Sequence, residues 1–167
     1  LESNAIKKAY SKFKQVFLYL LSKVGGLPNV GETVLYKLLY FIDFDYYELY
    51  ETQLMGLSYI RNHHGPTPLL FKKVIDQLIG EKAIEKVKSE FYRYPQTKYL
   101  INPRLKVDLS GLTAQELAHI NWEMDRLAGQ SAAQLSEFSH KDVPWITTES
   151  GTLIEYEAVF YRLPETS

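Results

Sequence analysis

The chain has no cysteine in its 167 residues. Disulfides, thiolate metal sites and cysteine nucleophiles are therefore excluded, and the composition fits a reducing, cytoplasmic compartment. A basic excess is missing as well: 19 Lys and Arg stand against 20 Asp and Glu, a net charge of −1. Proteins whose affinity rests on neutralising phosphates usually carry a strong positive balance, so the composition argues against nucleic acid as a partner. Long apolar runs are also lacking. The most apolar stretch, residues 16–24, is too short and too punctuated to span a bilayer, and no signal sequence opens the chain. The first residues, Leu1-Glu2-Ser3, include no initiator Met, which leaves room for a removed tag or an upstream segment such as an additional N-terminal domain.

What is present is the mix of one globular domain, placed here over residues 1–167: 46% hydrophobic and 23% charged residues. Tyrosine is abundant, with 13 copies beside 8 Phe. Each Tyr brings a large apolar ring and a polar tip, which suits both core edges and protein interfaces.

Hydrophobic spacing predicts an α+β fold, mainly helical, with a central buried helix and a small antiparallel sheet or β hairpin. Ile6, Tyr10, Phe13, Phe17, Leu20 and Val24 fall on one helical face over residues 4–24, which Gly25-Gly26 and Pro28 end. A second helix spans 30–50, with Asn29 and Glu32 at capping-box spacing. Leu35, Leu38, Leu39, Ile42, Tyr46 and Leu49 form one stripe on it; Tyr36, Tyr40, Phe44 and Tyr47 form another. Apolar on nearly every side, it belongs in the middle. Residues 57–60 alternate as a strand, and His63-His64-Gly65-Pro66-Thr67-Pro68 reads as a rigid turn. There Thr67 caps and Pro68 opens a helix to Ile79. Residues 83–92 and 99–101 are predicted to pair around Tyr94-Pro95-Gln96. Thr113 with Glu116, and Ser131 with Gln134, are capping boxes opening helices to Ala128 and to about Ser139. Pro144-Trp145 is a turn with a bulky anchor. Residues 153–162 fit a strand or a short helix.

Little in this pattern gathers for catalysis. The four histidines, His63, His64, His119 and His140, lack metal-ligand spacing, so no metal and no cofactor is expected. No nucleophile elbow appears. Asp43 and Asp45, two apart on a helix, face apart, and Asp43 reads as a buried carboxylate satisfied by a Tyr hydroxyl or a Lys. A small hydrolase using His63, His64, His140 and Asp43 is the enzyme alternative. A DNA-binding regulator using the first helices, with Lys7, Lys8, Lys12 and Lys14, is another. Protein binding is better supported, since Tyr59, Tyr92, Tyr94, Tyr99 and Trp145 fall in β or turn segments where one face often stays open. Such open rings would also serve self-association.

From Lys37-Leu38-Leu39-Tyr40-Phe41-Ile42-Asp43 onward the order of motifs is specific. A Gly follows about a dozen residues later, then a short strand and the Gly65-Pro66 turn. After a β hairpin and a capped helix come Leu135, His140 and Pro144-Trp145. The last motif is Ile154-Glu155-Tyr156-Glu157-Ala158-Val159-Phe160-Tyr161-Arg162. Over about Ile6–Arg162 this resembles the Panacea domain, the SocA-like or phage GepA-like antitoxin family. The resemblance implies a non-enzymatic antitoxin, often encoded on prophages, that neutralises a protein toxin encoded by an adjacent gene through direct binding. In some members it implies an adaptor that delivers the toxin to a protease. It assigns Lys37, Tyr40, Asp43, Gly65 and His140 to the structural motif, with Trp145 closing the core and His140 hydrogen-bonding to a neighbour. The family's usual ring or Lys followed by Tyr before the Gly-Pro turn is replaced here by His63-His64. The contact surface is expected at Tyr59, His63, His64, Pro66, Tyr94 and Trp145.

Overall fold

The computed structural model describes residues 4–167. Helix α1 (Asn4–Val24) buries Phe13, Phe17 and Leu20 on its periodic face, while Ile6 at the open end is largely exposed. Helix α2 (Glu32–Tyr50) is the centre: every residue from Leu38 to Tyr46 is buried. Leu49, expected on the core stripe, is 60% exposed because the last turn runs past the packing elements. Asn29 does not cap α2. Gly31 holds that position without a side-chain bond, and Asn29 donates instead to the carbonyls of Ala128 and Gln130 at 2.7 and 2.8 Å. A long-range tie has displaced the local one.

Strands β1 (Tyr59–Asn62) and β2 (Gly65–Pro68) form a hairpin closed by His63-His64. The segment beginning at Thr67 is thus strand rather than helix start, and α3 runs Phe71–Gly80. Backbone parity explains the difference. Leu69 N–H donates to Ser58 C=O, so alternate residues Thr67 and Leu69 face β1, while Pro66 and Pro68 turn their missing N–H groups to the open edge. The other edge of β1 is covered by residues 152–154, with Ile60 and Leu153 bridged.

The second hairpin pairs β3 (Ile84–Phe91) with β4 (Tyr94–Ile101). Its turn is Tyr92-Arg93, both at positive φ (49° and 69°), as a type I′ hairpin turn requires. The expected turn at Tyr94-Pro95-Gln96 is two residues late: Pro95 sits in the strand opposite Glu90. Helices α4 (Ala114–Leu127) and α5 (Ala132–His140) each open on a reciprocal capping box, Thr113 with Glu116 and Ser131 with Gln134. Pro144-Trp145 lies in a single helical turn, α6 (Val143–Ile146), rather than a plain turn. The tail closes as a 3-10 helix, Tyr156–Tyr161, against α2. No helix among the described residues is long and apolar enough to cross a membrane.

A helix buried on all sides must supply partners for its charges. Asp45 on α2 meets Arg162 at 2.6 Å and Arg126 at 2.7 Å. Arg162, with a side chain wholly enclosed, also forks onto Asp142 and reaches Glu48. Glu123 of α4 receives Arg126 on one oxygen, and its other oxygen is buried without a donor. Burial, then the charge of Asp45 beside it, raises the Glu123 pKa to about 10. The shift favours a proton on that orphaned oxygen, facing Asp45. Folding takes up that proton at pH values between the ordinary carboxylate range and about 10, so stability falls as pH rises through this window. Glu123→Gln keeps a donor toward Asp45 and removes the linkage. Urea unfolding should show wild-type stability declining by up to about 1.4 kcal/mol per pH unit from this group, with the Gln variant flatter and more stable above neutral pH. Equal slopes would mean Glu123 is ionised in the fold.

Candidate functional site

Three segments converge beside the first hairpin: Lys37 from α2, the turn 61–65, and the α5–α6 corner with Ser139, His140 and Trp145. Gly65 is where they meet. It holds φ +129°, and a Cβ there would stand 2.9 Å from Lys37 Cε and 3.0 Å from Ser139 Oγ. Both the backbone conformation and the space require glycine. Ser136 Oγ donates to His64 C=O at 2.7 Å, which ties the turn to α5. His63 and His64 are exposed, their rings 4.6 Å apart.

Trp145 is sandwiched. The His140 ring stacks on it at 4.2 Å and 19°, and the Arg61 guanidinium lies 3.8 Å from its centroid. Two groups so close to one centroid must take opposite faces. Arg61 also donates to the carbonyls of Trp145, Ile146 and Thr148, capping the short α6.

The electrostatics are one-sided. Lys37 is 1% exposed, yet its amine has no hydrogen-bond or ion-pair partner among the described residues. Burial alone lowers its pKa to about 8. His140 Nε2 and Trp145 Nε1 are likewise buried without partners. Burial lowers the His140 pKa first; the positive charges of Lys37, Arg61, His63 and His64 add to the effect, and no carboxylate counters them. Among the described residues, no carboxylate balances the charges of Lys37 and Arg61 at this patch.

This geometry sorts the sequence expectations. Lys37, His63, His64, Gly65, His140 and Trp145 are brought together. Tyr59 is corrected: it is fully buried, its hydroxyl bonded to Leu39 C=O and Asp43, so it cannot meet a partner. Pro66 is buried too, packed on the inner side of its strand. Tyr99, expected among the open rings, is buried with its hydroxyl on Glu32. Tyr94 belongs elsewhere. It is 77% exposed near the second hairpin's tip, beside a groove of about 680 Å³ lined by Gly31, Val34, Tyr94, Pro95 and Ala132. That groove touches the start of α5 and the cationic face its end, roughly 13 Å apart at 1.5 Å per residue. His140 does not find a hydrogen-bonding neighbour through Nε2; stacking on Trp145 holds it instead. Tyr40 and Asp43 serve the core, bonded to Asp142 and to the 55–59 segment. Asp43 is accordingly unavailable to any of these imidazoles. Among the described residues no three His, Asp or Glu side chains gather as metal ligands. Lys12 and Lys14, half of the first basic cluster, are paired with Glu116 and Glu81.

Arg61 and Ser139 were not legible as site residues. Arg61 stands just before the histidine pair, but only the fold shows that it reaches Trp145.

The family model described as "Antitoxin SocA-like, Panacea domain" matches residues 35–146. The chain belongs to this antitoxin family. The Panacea match is narrower than Ile6–Arg162, the span of the resemblance, but it contains every residue of the cationic face. Helix α1 and the closing 3-10 helix lie outside it. No curated protein and no solved structure matches the chain.

Proposed function

We propose that the chain is a cytoplasmic antitoxin that neutralises a protein toxin, encoded by the adjacent gene, by direct binding through the face around His63, His64 and Trp145. The observation that carries the reading is the convergence, inside the Panacea match, of Lys37, Arg61, His63, His64, His140 and Trp145 on one side of the molecule. Ile146 and Leu153, 52% and 55% exposed, lie beside Arg61 and add an apolar margin. Tryptophan and arginine beside exposed aliphatic groups are the composition of an interface centre.

Co-expression with the neighbouring gene product tests it. The wild type should co-purify with the toxin and restore growth. His63→Glu/His64→Glu, which puts two negative charges on exposed positions beside Arg61, should weaken binding at least about tenfold and lose rescue while keeping the wild-type melting temperature. Rescue by a variant that no longer binds would overturn direct neutralisation. Disappearance of the toxin in place of a stable complex would favour delivery to a protease.

A further inference from the structure

Each of β1, β2, β3 and β4 has an outer edge, and three of these are covered or blunted. Residues 152–154 cover β1. β2 turns Pro66 and Pro68 outward, which have no N–H to offer. β4 turns Pro95 outward as well, and its edge lies against the start of α2: a Cβ on Gly31 would stand 2.9 Å from the Thr97 carbonyl oxygen. β3 is the exception. The two-residue turn makes Phe91 and Tyr94 a hydrogen-bonded pair, and at the other end of the ladder Asn102 N–H donates to Ala83 C=O at 2.8 Å. Odd-numbered residues of β3 therefore bond to β4, while Ile84, Lys86, Lys88 and Glu90 point their N–H and C=O groups outward. Among the described residues nothing takes these groups up. Lys86, Lys88 and Glu90 are exposed. At 8 residues, β3 is an open template for another strand.

We propose that β3 pairs antiparallel with β3 of a second copy of this chain, making one four-stranded sheet across a two-fold axis at Lys88. Charge selects both the partner and the register. Only the even-numbered residues can bond across this edge, so the register moves in steps that put the axis on Val87, Lys88 or Ser89. With the axis at Lys88, Lys86 of each copy stands opposite Glu90 of the other, and the ladder runs over residues 85–91 with about six backbone hydrogen bonds. The one like-charged meeting, Lys88 with its own copy, is eased because Lys88 Nζ donates to Thr97 Oγ1 at 2.9 Å, back across its own hairpin. An axis on Val87 sets Lys86 against Lys88 twice, which is repulsive. An axis on Ser89 drops Lys86 from the ladder and loses about a third of the bonds. The register at Lys88 also brings Tyr92, 85% exposed in the turn, opposite Ile84 of the other copy. A cleft of about 800 Å³ lined by Ile79, Ile84, Leu100 and Pro103 lies there, with room for an aromatic ring. The pairing shares no residue with the face around His63 and Trp145.

The absence of cysteine makes cross-linking unambiguous. Across a two-fold axis at Lys88 the paired Cα atoms stand about 5.5 Å apart, within disulfide range. Under mild oxidation Lys88→Cys should form a covalent dimer. Val87→Cys and Ser89→Cys should not cross-link alone but should cross-link to each other when mixed. In sedimentation equilibrium the wild type should dimerise with rising concentration. Glu90→Lys, which sets a lysine against Lys86 on both sides of the axis, should weaken association at least about tenfold, and Lys86→Glu/Glu90→Lys should restore it. Lys88→Pro, whose lost N–H belongs to the outer edge, should abolish association with the hairpin intact. A wild type that stays monomeric up to about 1 mM overturns the proposal. So does a dimer that Glu90→Lys leaves unchanged, which would put the contact on another face. Preferential cross-linking of Val87→Cys alone or Ser89→Cys alone overturns the register and the charge argument with it. The charge variants lie on exposed positions, so the test stands if the proline variant does not fold.

Discussion

Asp43→Ala should cost about 4 kcal/mol of stability, whereas Asp43→Asn should cost only about 1–2. Asp43 is fully buried and accepts from Met55, Gly56 and Leu57 N–H and from the Tyr59 hydroxyl, at 2.8, 3.2, 3.3 and 2.7 Å. Alanine would strand three backbone donors in the core, each costing about 1–3 kcal/mol before the loop relaxes. For a domain whose total stability is about 5–15 kcal/mol, that is a severe loss. It should appear as a melting temperature lower by roughly 10 °C. Asparagine behaves differently because of one proton. The Tyr59 hydroxyl lies within bonding distance of both Asp43 and Leu39 C=O, but it can donate to only one. Burial raises the Asp43 pKa despite its four donors. Were Asp43 to take up a proton, the direction this shift favours, it would donate to Tyr59 and Tyr59 would donate to Leu39. Asn keeps most of this arrangement: its oxygen accepts from Met55 and Gly56 and its amide donates to Tyr59, with only the Leu57 N–H left without its acceptor. Equal damage from Ala and Asn in thermal unfolding would mean that the ionised carboxylate is what the core requires.

The contrast between Asp43 and Asn29 shows which parts of this fold its sequence reveals. Helix α2 is legible because two apolar stripes leave it no exposed face. The capping boxes at Thr113 and Ser131 are legible because each is satisfied within four residues. Local signals fail where a distant partner competes. Asn29 has capping chemistry at capping distance, but two carbonyls about a hundred residues away take its amide. Pro68 has the preferred residue type for a first helical position, and pairing with Tyr59 makes it strand. Pro95 suggests a turn, yet its missing N–H is harmless in the strand, and the turn falls on Tyr92-Arg93, which carry no glycine or asparagine to mark it. The site follows the same rule. Gly65, His140 and Trp145 stand out as residue types, while the burial of Lys37 and the reach of Arg61 depend on how three segments are assembled. Aromatic content was the weakest guide: Tyr59, Tyr99 and Tyr156 hide their rings because each hydroxyl finds an acceptor inside.

Arg162→Met should destabilise the fold by about 3–5 kcal/mol, through a residue outside the segment matched by the family model. Its guanidinium is wholly enclosed and forks onto both oxygens of Asp142 at 2.8 Å while reaching Asp45 and Glu48. Methionine fills the volume but leaves Asp142 buried with only the Tyr40 hydroxyl. Lysine restores the charge and not the fork, so Arg162→Lys should recover part of the loss and remain below wild type. Adding Asp142→Leu to Arg162→Met should cost less than the sum of the single changes, because the second removes the charge the first leaves unpaired. Asp142 stands between His140 and Trp145, at the join of α5 and α6. Arg162 therefore anchors the corner that carries His140 and Trp145. In folded Arg162→Met below its melting point, the Trp145 indole signal in ¹⁵N-correlated NMR should broaden, although Arg162 touches neither ring. A sharp, wild-type Trp145 signal in that variant would confine Arg162 to the energetics of the core and leave the face to be held by the Arg61–Trp145–His140 stack alone.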